Sequence, residues 1–425
     1  MEDKTKRSYL LLEGLKQFFH PIHFAGTVFV FLFMYLLQLV GVQTEIFNVF
    51  ESVFEEFELT DIYYRDIRNP QEETFEENVI LVNIGHLPRR AIAEQINILN
   101  KYEPAVIGID AVFAGPKEDD PMGDFLLAQA VAESNKFVFA STPLEPTRKE
   151  NIVTADSIGM PYELFLANDS VISTGHVYTG NEYADFTTWR EVPVFVDNKG
   201  KLEPSLAAEV VRQFDEEKYK NLLKRERIIE PIYFKGNLDK YLKLDPKQVL
   251  LEEFDTAAIK GKIVLMGYMG DEYTDYFFAE DKFYTPLNKN LLGRGFPDMY
   301  GVVVHANIIS MMLNDTYIDA MPQNLSLLIA VLLCFFNVSV FTIIVRFKRM
   351  AVWYNAISKT IQLVEAIIVT YLSIMLFAEY HYEVNFSLAF LVILLSGDLT
   401  EIFVEIIVRF VRRVLRMAPL LFYDS

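Results

Sequence analysis

Cysteine is nearly absent: the 425 residues contain one, Cys334, and it lies inside a long apolar run. No disulfide framework can close within a single chain, so the fold must rest on a hydrophobic core and on its surroundings. Histidine is scarce as well, with six in the whole chain. No Ser-His-Asp arrangement or zinc-ligand spacing can be assembled from them. The turn Gly267-Tyr268-Met269-Gly270-Asp271 follows an apolar strand but lacks the Gly-Lys-Ser/Thr that completes a phosphate loop. Catalytic residues, metal ligands and cofactors are therefore all expected to be none, and the chain reads as a non-enzyme. A basic excess is missing too. The net charge of −19 argues against nucleic acid as a partner, since binding it requires cations that replace phosphate counterions.

Long apolar runs are plentiful. Hydrophobic residues make up 52% of the chain and charged residues 23%, too apolar for an ordinary soluble protein and too charged for one buried entirely in lipid. Four runs are roughly 20 residues long, the length that crosses a bilayer as a helix. They span 24–42, 325–345, 357–378 and 386–408. The first follows Lys4, Lys6, Arg7 and Lys16 and ends without a small-x-small cleavage pattern, so it reads as an uncleaved anchor. Arg346, Lys348, Arg349 and Lys359 fill the link between the second and third runs, and Arg409, Arg412, Arg413 and Arg416 follow the fourth. The link 379–383 holds two acids and no Lys or Arg. Because basic flanks stay in the cytoplasm, residues 1–23 and the tail 409–425 are expected inside and residues 43–322 outside. The expected location is the bacterial inner membrane, multi-pass, with the large acidic domain periplasmic or extracellular.

The external segment reads as α/β with a mixed or mainly parallel sheet. Residues 77–85 form an apolar strand pattern, and Pro88 through Tyr102 then places Ile92, Ile96 and Leu99 on one helical face. Ala105–Phe113 is a second buried-type strand, which makes the spacing that of a parallel crossover. A helix at 121–134 and a strand at 136–141 repeat it. Later strands are expected at 175–178, 192–196, 227–234 and 262–266, with a helix at 204–214 and a helix or strand-to-helix passage at 301–313. Residues 143–172 and 271–298 read as long loops.

Two groups of residues stand out. Asp110 closes a buried-type strand, where ligands of open α/β sheets bind. Asp271, Asp275, Thr285 and His305 would join it if the second half packs on the same sheet, giving a pocket for a small ligand or a cation. The alternative is that Asp110 caps a loop while His305 and Asn307 hydrogen-bond backbone. In the membrane block, Asp398, Glu401 and Glu405 share one helical face, and Glu365 lies at similar depth on the antiparallel neighbour. Carboxylates in hydrocarbon cost several kcal/mol unless protonated, paired or wetted. With no Lys or Arg expected within these helices, the acids suggest a face that docks a partner's helix or lines a cation path.

The segment Lys260-Gly261-Lys262-Ile263-Val264-Leu265-Met266-Gly267, with Asp271, Thr285-Pro286-Leu287 and Gly301-Val302-Val303-Val304-His305-Ala306-Asn307, resembles the closing half of type-2 CHASE domains. Val79–Ile84, Arg90-Ala91, Ile107–Phe113 and Asp119-Asp120 are similar to the opening half. The resemblance implies an extracytoplasmic sensory domain of the kind found in bacterial cyclases, kinases and related receptors, with one membrane helix before it and three after. Asn83 departs from the acid frequent in the family, and Asp185-Phe186-Thr187-Thr188-Trp189-Arg190 replaces its central D-G-x-x-R. With so few residues after the last membrane run, no cytoplasmic output domain is expected. The expected function is thus a non-enzymatic sensor or accessory subunit that works through a membrane protein partner. The alternative is a structural docking subunit of a constitutive envelope complex.

Overall fold

The computed structural model describes residues 16–39, 59–69, 74–149, 151–168, 170–180, 188–270, 280–288 and 296–410. The chain divides into two units, one of Asp61–Ile318 and the other of Met1–Thr60 with Asp319–Ser425. The latter begins its described part with an apolar helix, α1 (Pro21–Leu39), and is taken up again below.

In the unit Asp61–Ile318, strand β1 (Glu76–Asn83) leads into helix α2 (Arg89–Asn100), strand β2 (Val106–Asp110), helix α3 (Pro121–Ala132), strand β3 (Phe137–Leu144) and strand β4 (Ile172–His176). Helices α4 (Leu206–Phe214) and α5 (Glu216–Leu223) follow, then β5 (Tyr241–Leu244), the short α6 (Pro246–Leu250), β6 (Ile263–Gly267) and α7 (Gly301–Asn314). The six strands are parallel and lie in the order β5-β1-β6-β2-β3-β4, with Ser157–Gly159 added antiparallel to β3. Helices cover both faces. Ile92, Ile96 and Leu99 of α2 and Leu127 and Val131 of α3 pack with Ile80, Val82, Ile107, Ile109, Val264 and Met266. Helices α4 and α7 occupy the opposite face. Burial on two sides explains why these strands are unbroken apolar runs rather than alternating ones.

The sheet is parallel apart from its antiparallel extension, in keeping with the α/β expectation. Three local expectations need correcting. Residues 143–172 are not a featureless loop: Thr147–Lys149 and Ile152–Ala155 join Phe195–Asn198 and Lys201–Pro204 in a second small sheet. The strand expected at 192–196 is split in two at Val194, and of 227–234 only Ile229–Pro231 pairs. These ladders are three or four residues long, too short for a period-2 pattern to emerge. Strand β5 escaped notice because its alternation is broken by lysine: Lys243 sits in it, and it occupies an edge.

Among the described residues of the other unit, three helices are long and apolar enough to cross a membrane: the N-terminal one, α8 (Gln323–Arg346) and α9 (Tyr354–Tyr380). The fourth run forms α10 (Ser387–Ile402, 16 residues), continued by a π-helical segment of 6, Phe403–Val408. Val30 and Met34 of α1, Ala330, Cys334 and Val338 of α8, and Val392 and Leu399 of α10 form one apolar cluster. A short parallel pair, Asp319–Ala320 with Tyr382–Glu383, ties the start of α8 to the α9–α10 turn.

Candidate functional site

Three strands end side by side with Asn83, Gly267 and Asp110 in register, in the order β1, β6, β2. The chain leaving β1 and β2 turns into helices on one face, whereas the chain after β6 returns as α7 on the other. Connections that part in this way open a crevice at the carboxyl ends of the strands. The first turn of α7 borders it. Gly301 allows the close approach there: a Cβ on it would lie 3.2 Å from Phe283 Cε2, 3.3 Å from Asp281 Oδ1 and 3.5 Å from Asp110 Oδ2. Two carboxyls and an aromatic edge therefore converge on one point.

His305, one helical turn further on, brings Nε2 to 3.9 Å from Asp110 Oδ1. That is too long for a hydrogen bond. Burial pushes the Asp110 carboxyl up to about 7 and His305 down to about 4, so the two face each other largely uncharged rather than as an ion pair. Burial, then the neighbouring His305, hold His176 at the end of β4 down at about 3. Crowding by the surrounding protein, then Asp110 and Glu280, push the Asp281 carboxyl up to about 7, an upward direction that solvent tempers because the residue is exposed. Trp189 meets Phe283 edge-on at 4.8 Å and His305 at 6.3 Å. Both ring nitrogens of His176, Nδ1 of His305 and Nε1 of Trp189 are buried without a hydrogen-bond partner among the described residues. Buried polar atoms left in this condition call for a ligand or ordered water.

Of the residues singled out in the sequence, Asp110 and His305 come together. Thr285 does not join them; its backbone N–H and its hydroxyl donate to Asp298 at 2.9 and 2.6 Å, which fastens the segment after Phe283. Asp271 and Asp275 lie outside the described residues. Asn307 hydrogen-bonds Gly236 through both backbone groups, as the alternative reading had it, while His305 does not. His176, Trp189 and Asp281 were missed. Trp189 is one of two tryptophans, which was the one available signal. Asn83 holds the turn after β6: its Oδ1 accepts from Met269 N at 2.9 Å and its Nδ2 donates to Gly270 O at 2.6 Å.

In the helical unit the acids separate. Glu365 accepts from Asn337 Nδ2 at 2.9 Å, and Asn337 also reaches Ser396 Oγ at 3.2 Å, so this carboxyl turns into the bundle. The absence of a basic partner is corrected. Lys359 belongs to α9, not to the link before it, and its Nζ lies 2.9 Å from both Asp398 oxygens. Lys359 lies in the second turn of α9, which begins at Tyr354, and from there its side chain reaches across to α10. Glu405 pairs with Arg409 at 3.3 Å, and Glu401 is half-buried.

A family model, that of the CHASE2 domain, matches residues 40–340. The chain belongs to the CHASE2 family. The match takes in the whole Asp61–Ile318 unit and runs into α8. CHASE2 domains are extracytoplasmic sensor domains, and with helices able to span a bilayer this is a membrane protein with an external domain. No curated protein and no solved structure matches the chain significantly.

The electrostatics of the CHASE2 crevice can be tested through stability. Asp110 titrates higher in the folded state than in the unfolded one, so its contribution is complete below about 4 and is lost as pH rises through about 7. His305 and His176 act in the opposite sense, weakening the fold as pH falls below about 6.5. Asp110→Asn should therefore raise the melting temperature at pH 8 relative to wild type, with a smaller difference at pH 4. Parallel melting curves of the two proteins across that range would refute the burial of this carboxyl.

Proposed function

We propose that this CHASE2 protein is a non-enzymatic sensor subunit of the bacterial inner membrane. Both termini lie in the cytoplasm, and a small ligand binds in the crevice bounded by Asp110, Asp281, Trp189 and His305. The observation that carries the reading is α7. Its first turn borders the crevice, Gly301–Leu313 is buried throughout, and residues 315–322 are all that separate its end from α8. A ligand that displaces the first turn has a rigid element to act on, and that element is joined by a short segment to a membrane helix. The exit is also held. Lys218 Nζ lies 2.7 Å from Asp315, and Arg225 and Arg227 donate to Ile318 O at 3.3 and 3.2 Å. Signalling of this kind requires two arrangements of the helices with different affinity for the ligand.

The basic residues Arg346, Lys348 and Arg349, and those from Arg409 onward, support a cytoplasmic placement of both helix ends. A membrane partner would read the change through α9 and α10, with Glu401 and the ion-paired Asp398 and Glu405 as the polar groups it meets, while Glu365 is engaged inside the bundle. Docking in a constitutive complex is favoured by a different observation: Met122 and Phe125, one turn apart on α3, are more than half exposed.

Cross-linking tests the sensing reading. In a Cys334→Ser background, cysteines paired across α8 and α10 should change their cross-linking yield at least threefold when Asp110→Asn or His305→Gln is introduced, with the protein in lipid nanodiscs. Unchanged yields would leave the domain disconnected from the helices and favour docking. A mild-detergent pull-down then identifies the partner: a signalling enzyme that co-purifies in stoichiometric amount supports sensing, and a structural envelope protein supports docking through Met122 and Phe125.

A further inference from the structure

We propose that the crevice takes a small organic cation, a protonated amine, held between the Asp110 and Asp281 carboxyls with its apolar part against Phe283 and Trp189. This rests on the reading of the crevice as the sensing site and adds the chemistry of what is sensed.

Charge balance is the first argument. Asp110 and Asp281 reach the same point beside Gly301 from two different elements, and neither is paired with a lysine or arginine among the described residues. The nearest nitrogen base, His305, stays neutral because charging it at 3% exposure would cost more than the contact returns. Two converging carboxyls without a counter-cation form a site that gains most when one arrives from outside.

The second argument is what surrounds them. The faces and edges of Trp189 and Phe283, 4.8 Å apart, suit an alkylammonium, whose methylenes pack on the rings while the charge is drawn to their π-systems. A bare divalent ion is poorly served. Calcium and magnesium take about six oxygen ligands, and among the described residues no three His, Cys, Asp or Glu side chains gather as a metal site. An ammonium group needs only three acceptors. The third argument is the buried donors and acceptors that remain unused. His305 Nδ1 and, beside that residue, Trp189 Nε1 and both nitrogens of His176 are buried without partners among the described residues, and a hydroxyl or second polar group on the ligand would satisfy those it reaches. The acidic net charge of the protein would draw such a cation toward the domain.

The groups facing this point are Asp110 from β2, Asp281 and Glu280 from the segment before α7, and His305 from α7, with His176 from β4 beside His305. Lys282 is turned instead to the ring of Tyr300, 4.9 Å from its centroid. An ammonium displaces the proton that burial retains on Asp110. Binding should therefore tighten as pH rises through about 7.

Trp353→Phe leaves Trp189 as the single indole and so as a reporter inside the crevice. Full-length Trp353→Phe protein in nanodiscs would be titrated with ethanolamine, putrescine and choline at pH 8, with magnesium chloride, sodium acetate and glucose as comparisons at matched ionic strength. The expected result is a saturable change in Trp189 emission with at least one amine and none with magnesium. The dissociation constant should rise about tenfold on lowering the pH from 8 to 6, as expected when one carboxyl titrating near 7 must be ionised. It should rise at least tenfold in Asp281→Asn, a change at a partly exposed position that leaves the core intact, and likewise in Asp110→Asn. Amines that give no saturable change, or that bind Asp281→Asn as tightly as wild type, overturn the proposal. Saturation by acetate or glucose alone overturns the cation while leaving the crevice as the sensing site. If no probe moves Trp189 the cation also falls, and the sensing reading is then decided by the cross-linking yields.

Discussion

Lys235→Met should lower the unfolding free energy of the external domain by about 3–5 kcal/mol, the cost of leaving one partner of a buried ion pair uncompensated. Glu76 is 3% exposed at the start of β1, and Lys235 Nζ lies 2.9 Å from its Oε2. The same oxygen accepts from Ser310 Oγ at 2.5 Å and from Asn314 Nδ2 at 3.2 Å, both on α7. Burial alone would raise this carboxyl, but the hydrogen bonds from Ser310, Lys235 and the backbone of Asn78, with the lysine's charge, more than offset it and leave it below the usual range. Glu76 therefore stabilises the fold above its ordinary value of 4.5, and that contribution is lost as pH falls through the lower folded value. Removing the lysine reverses the balance, because desolvation then dominates. Thermal melting of full-length Trp353→Phe protein, followed by Trp189 emission, reads the loss directly. The double change Lys235→Met with Glu76→Gln should recover most of it, since no buried charge remains. A single variant that melts like wild type would mean that Ser310, Asn314 and Asn78 suffice to hold the carboxylate.

Gly175→Ala is expected to cost about 1–3 kcal/mol or more and to weaken the crevice at the same time. A Cβ on Gly175 would lie 2.6 Å from Leu206 Cα and 2.7 Å from both Leu206 N and Ser205 O. All three are backbone atoms, so no side chain can rotate away. Helix α4 would have to retreat from β4, although Leu206, Ala207 and Ala208 are completely buried. His176 follows Gly175 directly and bridges to Ser205, so the same retreat displaces a polar wall of the crevice. Gly115→Ala is the matched control. Nothing lies within 4 Å of its Cβ position, and its effect should stay within about 0.5 kcal/mol. The comparison needs only melting temperatures and an amine titration of the two variants. Equal stability of both would show that α4 accommodates a methyl group at that contact.

Both effects turn on α7 and α4, helices whose existence was readable while their partners were not. The run from Gly301 to Leu313 is apolar almost all round, a pattern that announces burial but not against what. Glu76 precedes the expected strand 77–85 and carries no local signature of its own. Its partners Lys235, Ser310 and Asn314 are more than 150 residues away along the chain. Arg190 ends the segment that replaces the family's central D-G-x-x-R; in the fold it donates to the buried Asp61 at 2.6 and 3.2 Å, while the adjacent Trp189 meets His305.

The sequence by itself determined the class of molecule. Hydrophobic runs of membrane length, basic flanks and alternating apolar strands and helices are local, one-dimensional properties, and a bilayer or a two-faced parallel sheet answers to them residue by residue. It also marked Asp110 and His305, because strand ends and helix starts carry local signatures. Only the tertiary structure decided which polar groups meet. It seated Asp281 beside Asp110, set His176 and Trp189 without partners next to His305, and paired Lys359 with Asp398. The reason is physical. Desolvation and pairing depend on the distance between groups in space, and strand order and helix register fix that distance without leaving a trace in the spacing of the residues along the chain.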